Sequence, residues 1–278
     1  MRRSWACCRH DLRRLASTPR AWAVLVLTFL YVENQFAPIR DMLRIEGFTL
    51  NWPGMATYFL SDAQITMMAG LGLLMLLFDA PFTDETQRYI IARTGRCAWG
   101  RGQLMYVMLA TAAYLAVFLL ALLLFQSPWT DWSGGWSNGL AALAKEGYYE
   151  IYDTMIEYDP WLMDAYAPVQ ALSLSLSLHA LAFLSLALIQ YVVNVLGGGR
   201  VGFLLAAAPL LFDSVIEEFF DVPWFYFSPV TLSRLPMLDY GDEMGRPPLW
   251  FAFAVLTALA AGLVYLSLRL SKRREILL

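Results

Sequence analysis

Any chemistry performed by this chain would have to start from His10, His179, the carboxylates Asp213, Glu217 and Glu218, three thiols, and the Ser133-Gly134-Gly135 triplet. Two histidines are a thin supply for acid-base or metal chemistry. Glu217 and Glu218 have no second histidine motif with which to share a metal, and Ser133 stands in a tryptophan-rich stretch rather than at the start of a buried helix. No G-x-x-x-x-G-K motif occurs, so the chain has no P-loop for ATP, and Gly197-Gly198-Gly199 is read as a tight turn. These patterns predict no catalytic residue, no metal and no cofactor bound by the chain itself.

The remaining polar residues are informative because of what surrounds them. Hydrophobic residues make up 59% of the 278 residues, charged residues 15%, and the mean hydropathy is +0.51. That composition belongs to a polytopic membrane protein, in which long apolar runs must be helical because lipid offers no partner to the backbone. A carboxylate at the bilayer centre costs on the order of 3 kcal/mol. Asp213, Glu217 and Glu218 therefore end a span early and begin a re-entrant or interfacial external segment, residues 213–247, or else they form a site for a cation. The run Leu172 to His179 alternates with period two but lies inside a long apolar stretch, so it is expected to be helical, with Ser175 one turn from His179 as its hydrogen-bond partner. Glu146, Glu150, Asp153 and Glu157 recur at helical spacing opposite Tyr148, Ile151, Tyr152 and Met155, which predicts an external amphipathic helix with an acidic face within residues 126–168.

Six spans are expected: from Ala21 through Val32 and on to Ile39, Ala63 to Phe78, Leu104 to Phe125, Ala171 to Leu196, Val201 to Phe212, and Leu249 to Leu268. Of 20 Lys and Arg, 15 fall in residues 1 to 20, in the stretch from Asp79 to Gln103, at Arg200 and from Arg269 onward. By the positive-inside rule both termini are cytoplasmic. Residues 1–20, with Trp5, Leu12 and Leu15 beside Arg2, Arg3, Arg9, Arg13 and Arg14, predict an amphipathic interfacial helix; the absence of a small-x-small site after Val32 argues against a cleaved signal peptide. Cys7, Cys8 and Cys97 all fall on the reducing side and imply no disulfide framework; Cys7-Cys8 is open to acylation or to a purely structural role. Nothing in the charge pattern points to nucleic acid.

The stretch DAPFTDETQRYIIARTGRCAWGRGQ, Asp79 to Gln103, places a charged helix of about three turns between two spans. Thr83 or Asp84 caps it, Gln87 takes the capping-box position, and Gly95 stops it in a left-handed conformation. Acids at its start (Asp84, Glu85), bases later (Arg88, Arg93) and an apolar edge of Tyr89, Ile90 and Ile91 suit either a docking element or a loop resting on headgroups.

With six spans, an amphipathic start, this helix and an interrupted segment before the last span, the chain resembles the permease subunits of bacterial type 2 ABC exporters. The stretch LLFDAPFTDETQRYIIARTGRCAWGRGQLMY is similar to the corresponding part of small permeases of that kind. The resemblance implies a single all-α permease domain over 1–278 in the bacterial plasma membrane. Residues 83–96 would be the coupling helix, with Asp84, Arg88, Tyr89, Arg93 and Arg96 touching a separate ABC ATPase that carries ATP and Mg, and a second permease, identical or paralogous, would complete the assembly. The family's pathway points to Met67, Met68, Leu71, Phe212, Val215 and Glu217, and the implied function is export of an amphiphile: a lipid, peptide or drug. A sensor or assembly protein using the same helix is the alternative; a secondary transporter is disfavoured by unmatched loop lengths.

Overall fold

The computed structural model describes residues 2–82, 85–132, 134–154, 159–197, 199–219, 222–241 and 245–273, leaving out the side chains of 85, 86, 88, 199, 200, 217, 218, 272 and 273. Apart from short 3-10 turns and one pairing of two-residue strands, its regular structure is α-helical. Four helices are long and apolar enough to cross a membrane: α2 (Pro19–Glu46), α6 (Arg96–Gln126), α10 (Pro168–Gly197) and α12 (Leu249–Arg273). A fifth candidate is the pair α3 (Trp52–Ser61) and α4 (Ala63–Leu76), bent by 85° at Asp62. The apolar part of α11 (Gly199–Phe219) is shorter, Val201–Ile216. This is a membrane-embedded, all-α protein.

Taken in chain order, α2, α4, α6, α10, α11 and α12 alternate in direction. At one end the start of α2 meets the end of α4, where Arg20 pairs with Asp79, and the end of α10 meets the same place, Asn194 Nδ2 donating to the carbonyls of Phe78 (3.3 Å) and Ala80 (2.7 Å). Ser271, near the end of α12, lies against Gly100 at the start of α6. We call this the terminal end. At the opposite end Gln126 Nε2 donates to Leu50 O at 3.1 Å, and Leu50–Asn51 (β1) pairs in parallel with Thr130–Asp131 (β2). The apolar core runs through the bundle, with Phe36, Tyr58, Phe59, Tyr106, Phe118, Phe183 and Tyr191 fully enclosed.

Several elements differ from the sequence expectation. The first apolar run continues past Glu33, Asn34 and Gln35 to Glu46, because Gln35 bonds Tyr31 (3.0 Å) and Arg40 bonds Glu33 (2.9 Å) along the helix; Gly47, at φ 70, ends it. Residues expected to be an external loop form α3, whose Pro53 sits in the first turn, where a missing N–H costs nothing. α11 does not end at Phe212 but runs on to Phe219. The acidic external helix is not continuous: α7 (Asn138–Lys145) stops before Gly147 (φ 72), α8 (Tyr148–Ile151) is one turn, Asp153 has φ 50, and α9 (Pro160–Ala165) follows. Tyr148 packs on Phe48 and stacks with Tyr152, whose hydroxyl donates to Glu46 at 2.8 Å, so these tyrosines fasten the loop to the end of α2. Met155 and Glu157 lie outside the described residues, as does Gly198 of the expected tight turn.

Candidate functional site

The stretch singled out in the sequence folds as α5 (Glu85–Thr94), held at the terminal end between α1 (Arg2–Ser17) and the first turns of α6. Gly95 ends it, with its N–H on Ile91 O at 2.8 Å. Its φ of 84 is positive as expected, but its ψ of 148 is extended, so it turns the chain into α6 instead of forming a left-handed cap. Thr83 and Asp84, the expected caps, lie outside the described residues.

Gln87 does not serve a capping box. Its side chain is buried and bridges two elements: Nε2 donates to Asp11 Oδ1 of α1 at 3.1 Å, and Oε1 accepts from Trp99 Nε1 of α6 at 2.8 Å. Gln103 Nε2 donates to the other Asp11 oxygen at 2.6 Å. Burial drives the Asp11 carboxyl above the usual carboxylate range, while hydrogen bonds from His10, Gln87 and Gln103 pull the other way. Such a network ties its elements firmly only while every member is bonded.

The interior face of α1 is Ser4, Cys7, Cys8, Asp11 and Leu15, a helical stripe, whereas Trp5 is exposed. Close approach to α6 depends on Gly102, where a Cβ would stand 2.6 Å from Cys7 Cβ and 2.8 Å from Ser4 O. Cys7 Sγ contacts Thr94 Oγ1 at 3.9 Å, and burial raises both the Cys7 and Cys8 thiols above the ordinary range. Both sulfurs are buried in this arrangement; Cys97 is exposed.

The outward side of α5 carries Tyr89, 73% exposed, and Arg93, with Arg96 exposed just beyond it; Ile90 and Ile91 are half-buried. Arg88 lies on the helix, its side chain outside the described set, and Asp84 is outside it entirely. Two of the five expected docking residues, Tyr89 and Arg93, are therefore on the exposed side of α5, and Arg96 is exposed at the start of α6.

The expected pathway residues are not brought together. Met67 of α4 faces α11, where Ser214 Oγ lies 3.6 Å from its Sδ. Phe212 and Val215 are exposed, and the Glu217 side chain lies outside the described residues. Met68 and Leu71 point instead to a different place, an apolar cavity of about 320 Å³ between α2, α4 and α6 that also takes in Thr28, Met75 and Tyr114.

Asp213 has left the solvent completely. It is 0% exposed and pairs with Arg234, 2% exposed, at 3.5 Å, and it accepts a bond from the Thr231 hydroxyl. Arg234 Nε also donates to Ser61 O at 2.8 Å, capping the last turn of α3 where the 85° bend leaves carbonyls free. The buried carboxylate is thus a partner of the bend and not the start of a surface segment. His179 is likewise enclosed: Nδ1 lies 2.9 Å from the Ser175 carbonyl, the expected residue but its backbone, and Nε2 lies 3.3 Å from Thr66 Oγ1 of α4. Among the described residues no group of three or more His, Cys, Asp or Glu is arranged to hold a metal ion.

Sequence reasoning did not join Asp11, Gln103 and Trp99 to Gln87. The available signal was that Asp11 is the sole acid in the first twenty residues and that Gln103 borders an apolar run. No family model and no curated protein matches this chain.

Proposed function

We propose that this chain is the six-span permease subunit of a bacterial ABC exporter, with both termini in the cytoplasm of a plasma-membrane assembly. The observation that supports this reading is the mounting of α5: exposed Tyr89 and Arg93 on one side, with Arg96 exposed at the adjoining start of α6, and on the other a buried bridge from Gln87 to Asp11 of α1 and Trp99 of α6. A helix fixed in that way passes a displacement of its rim to α6, a 31-residue rod, and to α1. An ATPase seated on α5 would supply that displacement by hydrolysing ATP with Mg, and the permease would move an amphiphile outward without bond chemistry of its own. A second permease, identical or paralogous, would face the first along α4 and α11, where Met67, Phe212, Val215 and Glu217 stand.

Co-expression of the full chain with the ABC ATPase encoded in the neighbouring reading frame tests the reading. Wild type is expected to retain the ATPase through purification, and the Tyr89→Ala/Arg93→Ala variant, altered only at exposed positions, to lose it. Retention of no ATPase by the wild type, with a different cytoplasmic protein bound to α5, would make the chain a sensor or assembly factor.

A further inference from the structure

The first turn of α1 and the corner between α5 and α6 enclose an open cleft of about 850 Å³ lined by Arg2, Arg3, Arg96 and Arg101, with Ser4 and Cys97 between them. None of the four guanidinium groups has a carboxylate partner among the described residues; the contact recorded for them is Arg101 Nε to Cys97 O at 3.2 Å. Elsewhere at this end Arg20 pairs with Asp79 and Arg14 lies over the Phe82 ring at 4.3 Å. Four like charges held around one concavity repel each other unless an anion joins them. The amides of Arg96, Cys97 and Ala98 add to the field, since the first turn of α6 bonds only from Trp99 N–H to Gly95 O.

We propose that this cleft binds the phosphates of an anionic lipid headgroup, one with more than a single phosphate charge. Planar guanidiniums suit phosphate oxygens in paired hydrogen bonds, and four of them exceed what one monoanion neutralises. A lipid is favoured over a soluble anion by position. Arg101 lies one turn before the apolar run of α6 that begins at Leu104, and Trp5, 49% exposed, stands beside Arg2 and Arg3, as headgroup-level tryptophans do. The bound headgroup would pin α1 to the start of α6 from outside, as Asp11 and Gln103 do from within.

Cys97 provides the readout, because it lines the cleft and is exposed while Cys7 and Cys8 are buried. The full-length protein is placed in nanodiscs of phosphatidylcholine, with or without a two-phosphate lipid, and the rate of Cys97 alkylation is measured. The two-phosphate lipid is expected to slow labelling, and Arg3→Gln/Arg101→Gln, at two exposed positions, to weaken that protection roughly thirtyfold in lipid concentration. Equal protection in the variant would mean general surface shielding and would overturn the proposal. So would protection by inorganic pyrophosphate in plain phosphatidylcholine discs, which marks a soluble-anion site, and so would protection by the ATPase but not by lipid, which assigns the cleft to a protein interface. A wild type that retains no ATPase while the two-phosphate lipid still protects Cys97 would refute the exporter reading and leave this one standing.

Discussion

Replacing Gln87 with leucine should undock α5 while leaving the membrane bundle folded. Leucine fills a similar volume, but it strands the buried Trp99 Nε1, which now donates at 2.8 Å, and takes from Asp11 Oδ1 the donor at 3.1 Å, leaving that oxygen only His10 Nδ1 at 3.3 Å among the described contacts. An orphaned buried group costs about 1 to 3 kcal/mol and a lost hydrogen bond to a charged group about 1.5 to 3 kcal/mol, so the change costs at least about 2 kcal/mol. The penalty falls on the α1, α5 and α6 contacts at the terminal end. Hydrogen exchange followed by mass spectrometry reads it directly. Amides of α5 should exchange roughly thirtyfold or more faster than in wild type, from that same energy at 1.4 kcal/mol per decade, with α10 amides unchanged. Unchanged protection in α5 would show that the Asp11, Gln87 and Trp99 bridge carries none of its attachment. Loss of protection throughout the chain would show that the bridge belongs to the global fold, and the idea of a separately mounted docking helix would fail.

Three further outcomes follow from the same geometry. Burial raises the Asp11 carboxyl, so its contribution to docking is fully present below the ordinary carboxylate pKa and is lost as pH rises through the shifted value. Protection of α5, corrected for intrinsic exchange, should therefore increase on acidification from neutral pH, and Asp11→Asn should flatten that dependence. Asp213→Asn and Arg234→Met should each destabilise the purified protein by about 3 to 5 kcal/mol in detergent unfolding, whereas the Asp213→Asn/Arg234→Met double variant should cost clearly less than the sum; strict additivity would mean the 3.5 Å pair contributes no coupling. With a thiol reagent Cys97 should react first and Cys7 and Cys8 only after α1 lifts away, so that Gln87→Leu accelerates the Cys7 and Cys8 labelling and not the Cys97 labelling.

The all-α class and the main apolar helices were legible from hydropathy alone, because a run of twenty apolar residues has one stable form in lipid. So was α5, whose Gly95 turn and polar rim are local features. What the sequence concealed was pairing across distance. Asp213 reads as a residue that must reach water until Arg234 is known to lie against it, and Gln87 reads as a capping residue until Asp11 and Trp99 close around it. Residues 40–62 fall between two expected spans, yet Pro53 opens α3 there; the acidic stripe looks like one helix, yet Gly147 divides it. In each case a tertiary partner, or the position of one residue within a turn, decided the outcome.

The bend at Asp62 bears on how the chain enters the membrane while it is being made. α4 has 14 residues and so reaches about 21 Å, short of the roughly 30 Å of a hydrocarbon layer. The carbonyl of Ser61 at the bend receives its donor from Arg234, 173 positions later in the chain. When the ribosome has released α3 and α4, the guanidinium that caps the last turn of α3 has not yet been synthesised, and α10, against which α3 lies, is still to come. The contacts of the bend are therefore completed out of the order of translation, by the last third of the polypeptide.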